Sequence, residues 1–208
     1  MPKWEERLKN KKMTESYQEL KCLAQKIREK HNITSFRILR RQMKQICKSE
    51  GIQYIDQRPG LKKCNGAYFY TKEEGASILI KKGLPDDPFV FTLGHELKHH
   101  LTDRDKLVAF CTQNSTKEME IGAEIFAAEL LFPDHLFVDT CNYQGIQKKL
   151  CQPQDLVRLK RDTQTTLSYA GLVKKAEFLG YIPKGAFKGI QWKKLEESLY
   201  GLPFYKRR

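Results

Sequence analysis

No run of about 18 apolar residues occurs in this sequence, which leaves no segment suited to cross a membrane as a helix. The start, Met1-Pro2-Lys3-Trp4-Glu5-Glu6, lacks the apolar stretch of a secretory signal, so a cytoplasmic protein is expected. No Cys-x-x-Cys pair is found among Cys22, Cys47, Cys64, Cys111, Cys141 and Cys151. That scatter argues against a zinc ribbon or a disulfide framework and for reduced, mostly buried thiols. Acidic residues are the minority charge, 25 Asp and Glu against 38 Lys and Arg, for a net charge of +13. Such an excess favours anionic partners through counterion release. The basic residues are nevertheless spread over the first 50 positions, Lys62-Lys63 and the last third, so a solvated lysine-rich surface explains them equally well. What remains is a chain of 208 residues, 40% hydrophobic and 30% charged, long enough for one domain with extensions.

The stretch that organises the rest is Phe91-Thr92-Leu93-Gly94-His95-Glu96-Leu97-Lys98-His99-His100, whose centre reads His-Glu-x-x-His. On a helix, residues four apart share a face, so the imidazoles of His95 and His99 can converge on one metal ion beside Glu96. Imidazole is a good ligand for zinc, and a carboxylate beside it can take a proton from metal-bound water. Asp87 and Pro88 predict a helix from about 88 to 101, with Asp87 as its cap. Phe89, Val90, Phe91, Leu93 and Leu97 make that helix largely buried, while His100 points away as a surface or supporting residue.

Before this helix, Ser16 and Glu19 suggest a capping box for a helix over about 14 to 30, preceded by a frayed basic start. Thr34-Ser35 caps a second helix, with Phe36, Leu39, Met43, Ile46 and Cys47 inward and Gly51 at its end. Three β segments follow: Ile52 to Ile55, Gly66 to Thr71 and Ser77 to Ile80. The last two read as a hairpin through Lys72-Glu73-Glu74-Gly75, in a small antiparallel sheet. The third segment is placed either as an edge strand that holds an extended substrate or as packing under the metal helix.

After the motif, Thr102 to Thr116 reads as a loop around Leu107-Val108-Ala109-Phe110. Ser115 and Glu118 then open a helix that Pro133 ends. Its Ala123, Phe126, Ala127, Leu130 and Leu131 form an apolar face, and its small residues permit close helix approach. A two-histidine zinc site needs a third protein ligand. Glu120 is the candidate, with Glu118 and Glu124 left open by spacing alone, and Glu124 suited to support a ligating histidine.

The pattern His95-Glu96-Leu97-x-His99, followed by Glu120-x-x-Ala123-x-x-Phe126-Ala127-Ala128-x-Leu130-Leu131-x-Pro133, resembles the ImmA/IrrE family of HExxH metallopeptidases over roughly residues 35 to 140. The resemblance implies zinc, with manganese as the alternative, at His95, His99 and Glu120, and Glu96 as general base. It also implies an anti-repressor that cleaves a helix-turn-helix repressor of a mobile element or stress response. Three positions depart from the family pattern. Lys98 replaces glycine, with an effect expected at the helix surface; Glu124 replaces asparagine; Phe132 replaces methionine.

Further on, Leu136 to Val138, Pro153 to Leu159 and Thr165 to Leu179 predict helices, the last capped by Thr165-Thr166 and ended by Gly180. Trp192, Leu195 and Leu199 mark another. This region reads as a helical cap that selects substrate, or as a helix-turn-helix with Lys160, Arg161, Lys174 and Lys175 on phosphate. The expected architecture is α+β: a mostly helical, zincin-like core with a three-stranded sheet. Its divisions are a basic helix over 1–34, the core over 35–140 and a helical extension over 141–208 packed on the core. The expected function is a zinc endopeptidase acting on a cytoplasmic protein; the alternative is a DNA- or repressor-binding module with a structural or vestigial metal site.

Overall fold

The computed structural model describes residues 3–59, 61, 64–104 and 116–202, with the backbone alone described over residues 3–15. Two compact units are present, Met1–Leu131 and Phe132–Arg208. The expected loop with Leu107-Val108-Ala109-Phe110, Cys111, the Ser115 cap and the Lys62-Lys63 pair lie outside the described residues. Together the described elements make the expected α+β fold, mostly helical with one small sheet.

The first unit opens with α1 (Lys3–Lys30), which begins well before the predicted residue 14. Residues 3–13 contain neither Gly nor Pro and are rich in good helix formers, so their polarity does not prevent helix formation. Ser16 and Glu19 consequently lie inside α1 rather than capping it. Helix α2 (Arg40–Ser49) starts later than predicted: Leu39 is its cap, and the Gln42 side chain accepts the Leu39 N–H at 2.8 Å. Met43, Ile46 and Cys47 form its buried stripe as expected, whereas Leu39 is about half exposed. The irregular stretch between α1 and α2 is held by the buried Arg28. Its guanidinium donates to the carbonyls of Ile33 at 3.0 Å, Ser35 at 2.9 Å and Leu130 at 2.7 Å.

Strands β1 (Ile52–Arg58), β2 (Gly66–Thr71) and β3 (Gly75–Lys81) form a sheet of order β1-β3-β2. The β2–β3 hairpin is antiparallel as predicted, but β1 runs parallel to β3, so the sheet is mixed. Strand β3 takes the centre between β1 and β2, where its apolar Ala76, Ile78 and Ile80 are buried. The expectation that β3 is an edge strand for substrate is therefore overturned: both its edges are paired, and β2 lies at the border. In β3 alternate residues Ala76, Ile78 and Ile80 are buried, the period-two pattern of a strand with one covered face. That face joins Ile52 and Tyr68 in a core with Phe89, Val90, Leu93 and Leu97 of α3 (Asp86–Thr102) and Phe126, Leu130 and Leu131 of α4 (Lys117–Leu131).

The second unit holds α5 (Asp134–Tyr143), α6 (Pro153–Thr163), α7 (Tyr169–Phe178) and α8 (Trp192–Tyr200). Phe132, Phe137 and Tyr181 meet edge to face around its core, at centroid distances of 5.8 and 5.6 Å. Helix α7 is capped by Ser168, whose Oγ accepts the Gly171 N–H at 3.2 Å, and not by Thr165-Thr166, which are buried in the preceding turn. The helix-turn-helix reading loses contacts with this correction. Lys160 donates inward to the carbonyls of Thr165 and Leu167, each at 2.9 Å, and buried Lys175 pairs with Asp134. Arg161 stacks on Tyr200 at 3.9 Å. No described helix is long and apolar enough to cross a membrane, and Cys47, Cys141 and Cys151 are buried free thiols, with Cys22 exposed and Cys64 half-buried.

Replacing Arg28 with Met leaves three carbonyls without their donor and is expected to destabilise the chain by about 2–4 kcal/mol. Urea unfolding of parent and variant measures it through the shift in midpoint at constant slope.

Candidate metal centre

Helix α3 begins at Asp86, with Pro85 rather than Asp87 in the cap position. The change is small and has a simple cause: the first-turn N–H groups have no helical partner, so Pro88 is accommodated there without loss. Asp86 and Asp87 in that turn favour the positive end of the helix dipole. Between its first and last turns the helix is mostly buried, with Phe91 and His95, one turn apart, partly exposed on one edge.

One turn apart on that edge, His95 and His99 bring their Nε2 atoms to 3.3 Å. Glu120, in the first turn of α4, places Oε2 at 3.2 Å from His95 Nε2 and Oε1 at 3.6 Å from His99 Nε2. The two helices reach this spacing through small residues. A Cβ added to Gly94 would stand 3.4 Å from the Ala127 Cβ, so the backbones meet with almost no side chain between them. Glu118 and Glu124, the competitors on spacing, are not members of this cluster, whose three ligand atoms all lie within 4.8 Å of one another.

These separations allow a test of fit. Four ligands at about 2.0–2.1 Å from a tetrahedral zinc ion stand about 3.4 Å apart, and the observed 3.2, 3.3 and 3.6 Å bracket that edge length. The donor set of two imidazoles and one carboxylate is also the chemistry that a zinc-like cation takes. The residues therefore fit a divalent ion with one position left open.

Around the cluster, charge is arranged unevenly. Burial alone would lower the His95 pKa, but the Glu120 hydrogen bond and the charges of Glu96, Glu120 and Glu124 raise it. Glu124, though exposed, thus acts on His95 through space. Glu96 is 5% exposed, and burial followed by the nearby Glu120 charge pushes its carboxyl up, against the opposing pull of His95, His99 and the Tyr68 backbone N–H. That N–H comes from β2, which can approach only because residue 66 is glycine. A Cβ there would stand 2.4 Å from Thr92 Cγ2 and 3.0 Å from Glu96 Oε1.

Two further residues belong to the site, and the sequence reading missed both roles. Asp103, just past α3, accepts the His99 Nδ1–H at 2.8 Å, which turns the lone pair of His99 Nε2 toward His95 and Glu120. Its spacing of four from His99 was the available signal. Lys98, expected at the helix surface, is 3% exposed and donates to Asp103 Oδ2 at 2.6 Å and the Met119 carbonyl at 3.2 Å. Burial would raise the Asp103 pKa, yet the hydrogen bonds from His99 and Lys98 hold it below the ordinary aspartate range. Of the two places expected for His100, supporting or surface, burial excludes the surface: its Nδ1 meets the Tyr68 hydroxyl at 2.9 Å and its Nε2 the Glu50 carbonyl at 2.9 Å. Burial is the main cause that lowers its pKa, and a neutral ring with one donor and one acceptor nitrogen satisfies both contacts.

Compared with known protein families, residues 47–164 match the profile of the IrrE N-terminal-like domain, Peptidase_M78, over more than half of the chain. The chain belongs to this family. No curated protein matches it at a significant level. The match begins in α2, contains α3 and α4 and ends just after α6, so the whole His95, His99 and Glu120 cluster lies within the M78 domain. A metallopeptidase family and a three-residue group able to hold a cation are thus found in the same segment, and a peptidase family implies a protein substrate.

In the metal-free M78 domain, the raised Glu96 pKa means that the folded chain binds a proton more tightly than the unfolded one. Its contribution to stability is present below the ordinary glutamate range and lost as pH rises through the folded value. Glu96→Gln removes that loss. The variant should melt above the parent at pH 7 and converge with it in acid, as followed by calorimetry with chelator present.

Proposed function

We propose that the chain is a zinc-dependent endopeptidase in which His95, His99 and Glu120 hold the metal and Glu96 is the general base; manganese is the alternative ion. The observation that carries this reading is the convergence of three ligand atoms from α3 and α4 beside a buried carboxylate. A bound divalent cation supplies Lewis acidity to a substrate carbonyl and to a water molecule. Glu96 then takes the proton of the attacking water and delivers it to the leaving amine, a role that a buried carboxylate next to His95 on α3 can fill. Asp103 keeps the His99 imidazole in one orientation, and the Tyr68 N–H does the same for Glu96. Substrate main chain is best received along β2, which lies at the sheet border and approaches Glu96 through Gly66.

The substrate we propose is a cytoplasmic protein such as a helix-turn-helix repressor, which makes the chain an anti-repressor. The net charge of +13 supports action near DNA-bound proteins. Direct DNA binding by the second unit is less well supported, since Lys160 and Lys175 are committed to internal partners.

The test is co-expression with a repressor encoded beside this chain, followed by metal analysis. A defined cleavage product should fall roughly 10²- to 10⁴-fold in Glu96→Gln, which keeps its metal. His95→Ala should lose both the metal and the product. Full cleavage by Glu96→Gln, or a purified parent that binds no divalent ion, contradicts the proposal.

A further inference from the structure

The Lys98 side chain is 4% exposed, an unusual place for an ammonium, which is costly to bury unless its partners compensate fully. Two partners hold it. One is Asp103 Oδ2 at 2.6 Å, the same oxygen that accepts the His99 Nδ1–H at 2.8 Å. The other is the Met119 carbonyl at 3.2 Å, on the residue immediately before Glu120. Gly122 borders this side chain: a Cβ there would lie in ordinary contact, 3.5 Å, with both Cε and Nζ of Lys98, and would clash only with Leu20 Cδ1 at 2.9 Å. A single ammonium therefore joins the carboxylate that orients His99 to the turn of α4 that carries Glu120.

We propose that Lys98 is a positioning residue of the metal centre, which sets the separation of the His99 imidazole from the Glu120 carboxylate before any ion arrives. The proposal rests on the reading that His95, His99 and Glu120 form a metal site. Its physical content is preorganisation. With Lys98 in place, the ligands on two helices are held near the 3.2 to 3.6 Å spacing that a divalent ion requires. Without it, Asp103 Oδ2 loses its shortest donor and the Met119 turn loses its tie to α3, so part of the binding energy goes into bringing the helices back into register.

The experiment compares the full chain with Lys98→Met, which removes the donor and the charge, and Lys98→Gln, which keeps a neutral donor. Met43→Ala on α2 is the control for loss of stability at a distance from the ligands. Zinc affinity is measured by competition with a chromogenic chelator, and the visible spectrum of the cobalt-substituted protein reports the ligand geometry. Roughly 10- to 100-fold weaker zinc binding in Lys98→Met is expected, the range for residues that support metal ligands, with an altered cobalt spectrum and a smaller change in Lys98→Gln. Met43→Ala should stay within about twofold of the parent at equal or greater loss of melting temperature, because its side chain belongs to the apolar core and not to the hydrogen bonds that position the ligands. Where Lys98→Met does not fold, Lys98→Gln decides alone: weakened binding with an altered spectrum supports the positioning role. Folded Lys98 variants with parental affinity and an unchanged spectrum overturn it. A parent that binds neither zinc nor cobalt fails at the earlier step, the metal site itself, so the two failures are told apart.

Discussion

Everything in the first unit depends on how closely α3 and α4 approach. A carboxylate on one helix has to come within 3.2 to 3.6 Å of two imidazoles on the other, a requirement that ordinary side chains between the helices would defeat. Gly94 against Ala127 removes that obstacle, and Gly122 lets Leu20 of α1 come close alongside. The apolar area supplied by Leu93, Leu97, Phe126 and Leu130 then holds the contact, at about 1.5–3 kcal/mol for each large side chain fully buried. Arg28 adds a polar tie, anchoring the end of α4 to the turn after α1 through three backbone carbonyls.

Close approach also concentrates charge. Glu96, Glu120 and Glu124 all act on His95 in the same direction, a field that favours a cation at the open side of the cluster. On the closed side the buried Lys98 offsets Asp103. The two halves have different tasks in this account. The glutamates attract a cation, with Glu120 as the proposed ligand, while the inward ion pair holds His99 in place. Lys98 and Asp103 cost little in such an arrangement only because each finds more than one partner.

Much of this was readable from local pattern. The helix around His95 and His99, the β2–β3 hairpin and the stripe of α2 all follow from spacing and turn residues that act over a few positions. Glu120 was inseparable from Glu118 and Glu124 on spacing, because helical periodicity does not say how a helix is rotated against a distant neighbour. The parallel pairing of β1 with β3 was hidden for a related reason: a strand's own residues do not say which neighbour it pairs with or in which direction. Lys98 was the plainest error of the reading. Lysine is ordinarily exposed, and its burial here depends on Asp103 and the Met119 carbonyl, partners that the helical spacing does not reveal. The caps at Ser16, Thr34-Ser35 and Thr165-Thr166 failed because hydroxyl residues also occur within helices and in buried turns, where Thr165 and Thr166 are found.

The central claim is that one divalent ion is bound by two imidazoles and a carboxylate from α3 and α4. X-ray absorption at the zinc edge on the zinc-loaded chain tests it most directly. The account predicts a shell of nitrogen and oxygen ligands at about 2.0–2.1 Å with two histidine contributions, one of which disappears in His99→Ala. A shell containing sulfur at about 2.3 Å, or one unchanged by that substitution, would contradict it.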